Sequence, residues 1–390
     1  MEWKKAEKKD DNTYAIPARW LHMYYYEALN ILFRFENSLR IFVYIILKNA
    51  LNERWSDAVI SEGNTIKSET KKRITQAKAH GYLGFELSSP MLYLNSGEII
   101  DIITSETYWK YFAPYFKTNK AILTSKLQEI GTVRNSLAHF RPIKEDDIEL
   151  IKQNTKHIML EVEKTLNQIA GISDRIPSNY QKKWFNDLSE LSSKNCQHTL
   201  YKSRDDHWVR LEFKYNTPII NQRKLTNTYI HFLIGNVRTE QILKKHPAIK
   251  KHCIYIHEFN SSGRMNDEIA TINKRFSIIF SNKTLEENED EIIKDISNIY
   301  KSIDEETNLI TQDNMARGQF IETKTVSSSF IKSGNHEYWS FNLNNTITAI
   351  ANNDDVEFWG LMGQFETDFI AGKDIYPWMP STISEEELPF

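Results

Sequence analysis

The sequence predicts a chain in two parts: an all-α helical bundle over residues 13–172, then an α/β-containing (α+β) domain over 205–390. Three observations carry that prediction. Residues 19–55, "RWLHMYYYEALNILFRFENSLRIFVYIILKNALNERW", run without glycine or proline and place Leu29, Leu32, Phe33, Leu39 and Phe42 at helical spacings. From residue 207 the pattern changes to alternation: in "HWVRLEFKY" Val209, Leu211, Phe213 and Tyr215 fall on one face, as a strand requires. Between the two, the stretch around 173–204 is polar, holds Pro177, and reads as a linker with one short helix.

The elements follow in order. Pro17 suits a first helical turn, where its missing N–H costs nothing. The helix after it is apolar over much of its circumference, so it belongs in the core of a bundle. Residues 56–72 read as a polar interruption, and 96–116 as short helices broken at Pro114. A long helix over 119–140 ends because Pro142 disfavours helical backbone in the residue before it. Residues 145–171 open on an acidic first turn and close on Gly171, as a helix should. In the second part, strands are expected at 207–215, 228–235, 252–259 and 275–280. Helices are expected at 238–246, 267–274 and 289–303, with further strands at 319–325 and 337–350. Strands alternating with helices mark an α/β or α+β domain.

Composition narrows the function classes. A formal charge of −3, from 49 basic and 52 acidic residues, gives no global attraction to nucleic acid, so any such binding needs a local basic surface. Two cysteines, Cys196 and Cys253, build no disulfide framework, and no CxxC pair suggests zinc; a reducing cytoplasm is the expected compartment. The first residues are charged and lack the apolar core of a secretory signal, and "IFVYIIL" at 41–47 is far short of the ~20 residues a membrane span needs.

No metal and no cofactor is expected. His252, Cys253 and His257 invite a zinc reading. On a strand, however, Cys253 and His257 lie roughly 13 Å apart, and His252 points to the other face. The acidic pairs at 146–147, 205–206 and 354–355 read as a helix start and two turns. "GLMG" at 360–363 lacks the lysine of a phosphate loop.

The stretch with chemical content is "EIGTVRNSLAHFRPI", residues 129–143. On an ideal helix Asn135 and His139 share a face, while Arg134 and His139 differ by ~140°, so Arg134 must curl round to join them. His139 falls near the helix end, where unsatisfied carbonyls favour the imidazolium. An imidazole that moves protons beside a permanent cation that stabilises charge suits phosphoryl chemistry. Spacing alone favours the plainer reading, an ordinary solvated helix face.

"VRNSLAHFRP" resembles the R-x4–6-H motif of the HEPN ribonucleases, in its RN-x-x-x-H form. The resemblance spans roughly residues 20–170, including "FENSLR" (35–40) and "GEIIDIITSETYWKYF" (97–112), and is most like the abortive-infection HEPN proteins of bacteria. It implies that Arg134 and His139 are catalytic and that Asn135 is the polar residue beside them. It also implies a homodimer whose two motifs form one composite site. The implied reaction is metal-independent cleavage of RNA, by attack of the RNA's own 2′-OH on the adjacent phosphate. A role in anti-phage defence or as a toxin follows by analogy, with an antitoxin or a phage-derived trigger as possible further partner and the second domain as sensor or regulator. The alternative is a non-catalytic HEPN scaffold for dimerisation or RNA binding. Glu36 and Arg40, four residues apart, read either as a surface ion pair or as a flank of the cleft that orients Arg134, which makes Glu36 an auxiliary candidate. Arg141 is an auxiliary phosphate contact or a solvated loop residue.

Overall fold

The computed structural model describes residues 7–15, 23–61, 63–80, 90–217, 219–223, 228–233, 242, 245–258, 262–266, 269–311 and 322–342. After a short hairpin of β1 (Glu7–Lys8) and β2 (Tyr14–Ala15), the first half is helical. Its axis is α1 (Met23–Leu51), followed by a two-turn 3-10 helix, a small hairpin of β3 (Val59–Ser61) and β4 (Asn64–Thr65), and α2 (Ile66–His80). Then come α3 (Ser96–Thr104), the short α4 (Trp109–Phe112), α5 (Lys120–Ala138) and α6 (Glu145–Ala170).

Local chemistry sets several of these boundaries. Asn95 caps α3 by accepting the Glu98 N–H at 3.0 Å, while the Glu98 carboxylate accepts the Asn95 N–H at 2.8 Å. Asn119 caps α5 through the Ile122 N–H at 2.9 Å. Three acidic residues fill the first turn of α6, where the helix dipole favours them. At its far end Gly171 is obligatory: a Cβ there would lie 2.8 Å from the Asn167 carbonyl oxygen.

The polar interruption expected at 56–72 is in fact folded. It buries Ala58, Ile60 and Ile66 and contains the start of α2. Along α1 nearly every residue from Phe35 to Leu47 is buried, as its apolar circumference requires, but Leu29 and Phe33 are exposed.

The expected linker at 173–204 is also folded. It contributes β5 (Asp174–Arg175), α7 (Lys183–Glu190) and β6 (Cys196–Lys202), because Ile176, Trp184, Phe185, Leu188, Cys196 and Leu200 all enter a second core. The remaining elements are β7 (Trp208–Thr217), β8 (Ile219–Arg223), β9 (Thr228–Leu233), α8 (Pro247–His252), β10 (Tyr255–Glu258), β11 (Ser262–Asn266), β12 (Ile269–Ser281), α9 (Asn282–Glu287), α10 (Glu289–Thr311), β13 (Glu322–Ser333) and β14 (His336–Asn342).

One sheet runs β10-β12-β7-β6-β5 with β11 on the far part of β12; the other runs β14-β13-β9-β8. The described pairings are antiparallel, which makes this half α+β. Two expectations change here. Residues 267–274 were expected to be helical, but from Ile269 they lie in β12, held between β7 and β11. The strand expected at 252–259 begins only at Tyr255, because His252 ends α8. The helix expected at 238–246 falls largely outside the described residues.

The two halves meet at the core of the helical half. Trp208, Ile254, Tyr255 and Ile279 of the sheet half pack into the cluster built by α1, α3, α5 and α6. The Tyr44 hydroxyl donates to the Ile254 carbonyl at 3.0 Å, and Lys48, only 1% exposed, donates to the Lys250 carbonyl at 2.8 Å.

Candidate functional site at the end of helix α5

The sequence-selected residues meet where the last turns of α5 cross α1 and the first turn of α3. Apolar residues Leu123, Leu127, Ile130, Val133 and Leu137 turn one face of α5 into the core. Arg134 is thereby left at the rim, 36% exposed, and Asn135 outside.

Glu36 is the hub. Its Oε1 accepts from Arg134 Nε at 3.2 Å and from the Ser96 hydroxyl, and its Oε2 accepts from Arg40 Nη2 at 3.0 Å. Glu36 thus pairs with Arg40 along α1, in a largely buried pair and not the surface one expected, and the same carboxylate also holds Arg134. Arg40 is anchored more deeply. Its Nε and Nη2 donate to the Leu94 carbonyl at 3.1 and 2.9 Å, and its Nη1 to Asn37 Oδ1 at 2.9 Å. Burial pulls its pKa below the usual guanidinium value, Glu36 opposes that shift, and the charge of Arg134 adds slightly to it. Two guanidiniums against one carboxylate leave a net charge of +1, and Arg134 is the member that faces solvent.

Arg134 Nη1 also reaches Asn135 Oδ1 at 3.5 Å, so these two side chains do approach one another. Behind them, Phe35, Leu39, Ile99 and Ile130 line a crevice of only about 10 Å³. That is room for roughly one water, so any substrate would bind at the surface and not inside the bundle.

His139 is not in the helix proper but caps it. The helix closes as a Schellman motif, with the Phe140 N–H on the Leu137 carbonyl at 2.9 Å and the Arg141 N–H on the Ser136 carbonyl at 2.8 Å. Phe140 occupies the left-handed position at φ 55°, normally a glycine's place, at a cost of about 1–2 kcal/mol. Its ring is 83% exposed and stacks parallel on Tyr25 at 6.5 Å, while the Tyr25 hydroxyl donates to the same Leu137 carbonyl at 3.1 Å. The helix end that presents His139 is thus fixed by α1.

The His139 imidazole is exposed and makes no side-chain hydrogen bond among the described residues. Nor does its ring contact Arg134 or Asn135; the main-chain N–H donates to the Asn135 carbonyl at 3.1 Å. Arg141, exposed one step beyond Phe140, is not part of the Glu36 cluster.

Set against protein-family models, curated proteins and solved structures, the chain matches none. Its chemistry has to be read from its own residues. A held cation and a solvated imidazole on one helix end can bind an anionic oxygen and transfer a proton. Among the described residues no group of three histidine, cysteine or acidic side chains is placed to hold a metal ion, and no helix is long and apolar enough to cross a membrane.

Local sequence did not reveal Ser96, Tyr25 or Phe140. Ser96 sits in "NSGEII", which signals a helix start and nothing about Glu36. The φ of Phe140 follows from a helix stopped before Pro142, a signal that could have been used.

Proposed function

We propose that the helical half is a HEPN-type, metal-independent endoribonuclease whose working site is composite, formed when two copies pair through α1 and the end of α5. The observation that carries this reading is the Glu36-held Arg134 and the solvated His139, both at the end of one helix that Tyr25 fixes in place. In the reaction proposed, the RNA 2′-OH attacks the adjacent phosphorus. The 2′-oxygen gives up its proton and the 5′-oxygen gains one as its bond to phosphorus breaks. The products are a 2′,3′-cyclic phosphate and a 5′-OH. His139 supplies the proton transfer, Arg134 stabilises the charge on the phosphate oxygens, and Asn135 helps to orient them. The nucleophile comes from the substrate, so a site without a serine or cysteine nucleophile suffices.

Two features support pairing. In one copy the His139 ring has no hydrogen bond to Arg134 among the described residues, so a single copy presents an incomplete site. Leu29 and Phe33, one helical turn apart on α1, are exposed on the helix that also carries Tyr25, on which Phe140 from the end of α5 stacks, an apolar surface suited to a second copy. In cellular terms the reading is a cytoplasmic protein of anti-phage defence or a toxin, restrained by an antitoxin or released by a phage-derived trigger, with the sheet half as sensor or RNA-positioning module.

The second reading, a non-catalytic HEPN scaffold, draws on Arg134 already being engaged by Glu36. Purified wild type, Arg134→Ala and His139→Ala incubated with RNA in chelator separate the two. Cleavage by wild type alone supports the nuclease, and intact RNA under every trigger tried leaves the scaffold. Cleavage that chelator abolishes and that survives His139→Ala would point to a metal nuclease in the sheet half.

A further inference from the structure

Among the described residues the outer edge of the first sheet is only half covered. Strand β5 pairs Asp174 with Lys202 and Arg175 with Tyr201, and the Ile176 N–H adds a bond to the Leu200 carbonyl at 3.0 Å. At Pro177 the chain leaves the sheet, while β6 runs on to Cys196, still paired with β7 on its other side. In an antiparallel strand the N–H and C=O of one residue point to the same edge, and that edge alternates residue by residue. Since the Leu200 carbonyl faces β5, Leu200, His198 and Cys196 all turn their main-chain groups outward. Cys196 is satisfied by Ser193, through its N–H at 2.9 Å and its carbonyl at 3.3 Å. The N–H and C=O of His198 and the N–H of Leu200 have no partner among the described residues.

A groove of about 670 Å³ lies over this stretch. Four consecutive residues of β6, Gln197 to Leu200, line it. A cavity resting on one face of a sheet would touch alternate residues, so contact with all four means that the groove follows the edge. Pro177 and Ser178 wall it where β5 departs, Ser189 and Ser192 wall it from the α7 side, and Phe185 adds apolar surface. Arg175 is the charged lining residue and makes no ion pair among the described residues. The His198 ring meets the Tyr300 hydroxyl, and burial pushes its pKa down to about 4, so it is neutral near pH 7 and Arg175 sets the sign of the groove.

We propose that this groove is a strand-addition site: an extended peptide of another protein, carrying an acidic side chain, pairs with β6 at His198 and Leu200 and sets its carboxylate against Arg175. A donor, an acceptor and a second donor at a two-residue repeat match the main chain of an added strand. A helix has already used its own main-chain groups, and an apolar ligand would leave those of β6 unpaired at the full desolvation cost. The site is independent of the ribonuclease reading.

The test uses the full chain and two pools of short random peptides, acetylated and amidated at their ends. One pool has acidic residues at alternate positions, the other lysines. In the free chain the His198 amide should exchange with solvent faster than that of Thr199, which is bonded to β7. The acidic pool should be retained and the basic pool not, and a retained peptide should slow exchange at His198 and Leu200 while leaving Thr199 unchanged. Ser192→Trp, an exposed wall position, should weaken binding about tenfold or more, and Arg175→Glu should transfer retention to the basic pool. Both positions are exposed, so unchanged circular dichroism is expected and shows that the fold is kept. The proposal is overturned if neither pool is retained, if the wild type prefers the basic pool, or if binding leaves the His198 amide or both variants unaffected. Equal protection of His198 and Thr199 in the free chain would also overturn it, since the edge would then be covered.

Discussion

Arg40 and Arg134 grip the same carboxylate, yet they should behave very differently when removed. Arg40 is 12% exposed, is paired with Glu36 and donates to the Leu94 carbonyl and to Asn37. Truncating it strands buried acceptors, which costs about 3–5 kcal/mol for a buried charge pair. Arg134 is 36% exposed and makes one ion pair at 3.2 Å, so its loss costs at most about 1 kcal/mol. At roughly 2–4 °C per kcal/mol for a domain of this size, Arg40→Ala should lower the thermal midpoint by about 10 °C, and Arg134→Ala by no more than about 4 °C. Melting followed by circular dichroism, paired with an RNA-cleavage assay in chelator, separates the two roles. Arg134→Ala should stay folded and cut no RNA. If it melts as early as Arg40→Ala, or cuts RNA at the wild-type rate, Arg134 is a structural residue and the site assignment fails.

His139→Gln should abolish RNA cleavage with a change in midpoint of about 1 °C or less, because the helix end is closed by main-chain bonds and not by the imidazole; a large loss of stability would contradict this. Phe140→Gly relieves the left-handed position but gives up the Tyr25 stack and frees the unfolded chain, so stability in urea titrations should change by less than about 1 kcal/mol, while Leu29→Asp with Phe33→Asp should yield monomers in sedimentation runs. His198 has its pKa lowered by burial to about 4, so the unfolded chain binds the proton more readily. Stability from this group is present above pH ~6.5 and is lost as pH falls toward 4, by up to roughly 3 kcal/mol, and His198→Phe should flatten that slope. Lys48→Ala empties a buried site and removes the donor to Lys250, which should cost about 2–4 kcal/mol by urea denaturation.

Legibility from sequence followed how local the deciding signal was. The helices at 119–140 and 145–171 were readable to within two residues, since Asn119, Pro142, the acidic first turn and Gly171 act within a few residues of the boundary. Helix α2 was not, because its sequence "IKSETKKRITQAKAH" is polar on most sides and shows no apolar stripe. Strand β6 escaped because only Cys196 and Leu200 of its residues are buried, a spacing of four that mimics a helix. Ile269 and Ile272 suggested a helix by the same ambiguity, and pairing with β7 and β11 overrode it. At the site, Glu36–Arg40 is a local pair and was visible. Glu36–Arg134 spans 98 positions and depends on how α1 crosses α5. The exposure of Leu29 and Phe33 was hidden for the same reason: helical spacing says which residues share a face, not which of them stay exposed.

Helix α1 links the two halves more directly than any linker could. Glu36, Arg40, Tyr44 and Lys48 follow at four-residue steps along one ridge of the helix. The first two build the site, and the last two hold the carbonyls of Ile254 and Lys250 in the sheet half, roughly 18 Å away along the axis. The receiving helix α8 is itself fixed, since the Ala248 and Ile249 N–H groups both donate to Asp295 of α10 at 2.8 and 3.3 Å. A rigid-body shift of the sheet half therefore either breaks the Tyr44 and Lys48 bonds or carries α1 with it, and α1 carries Glu36. Breaking one buried hydrogen bond costs about 1–3 kcal/mol, and 1.4 kcal/mol is already tenfold in a population. The two buried bonds therefore tie the helix that carries Glu36 to the sheet half by about 2–6 kcal/mol in all.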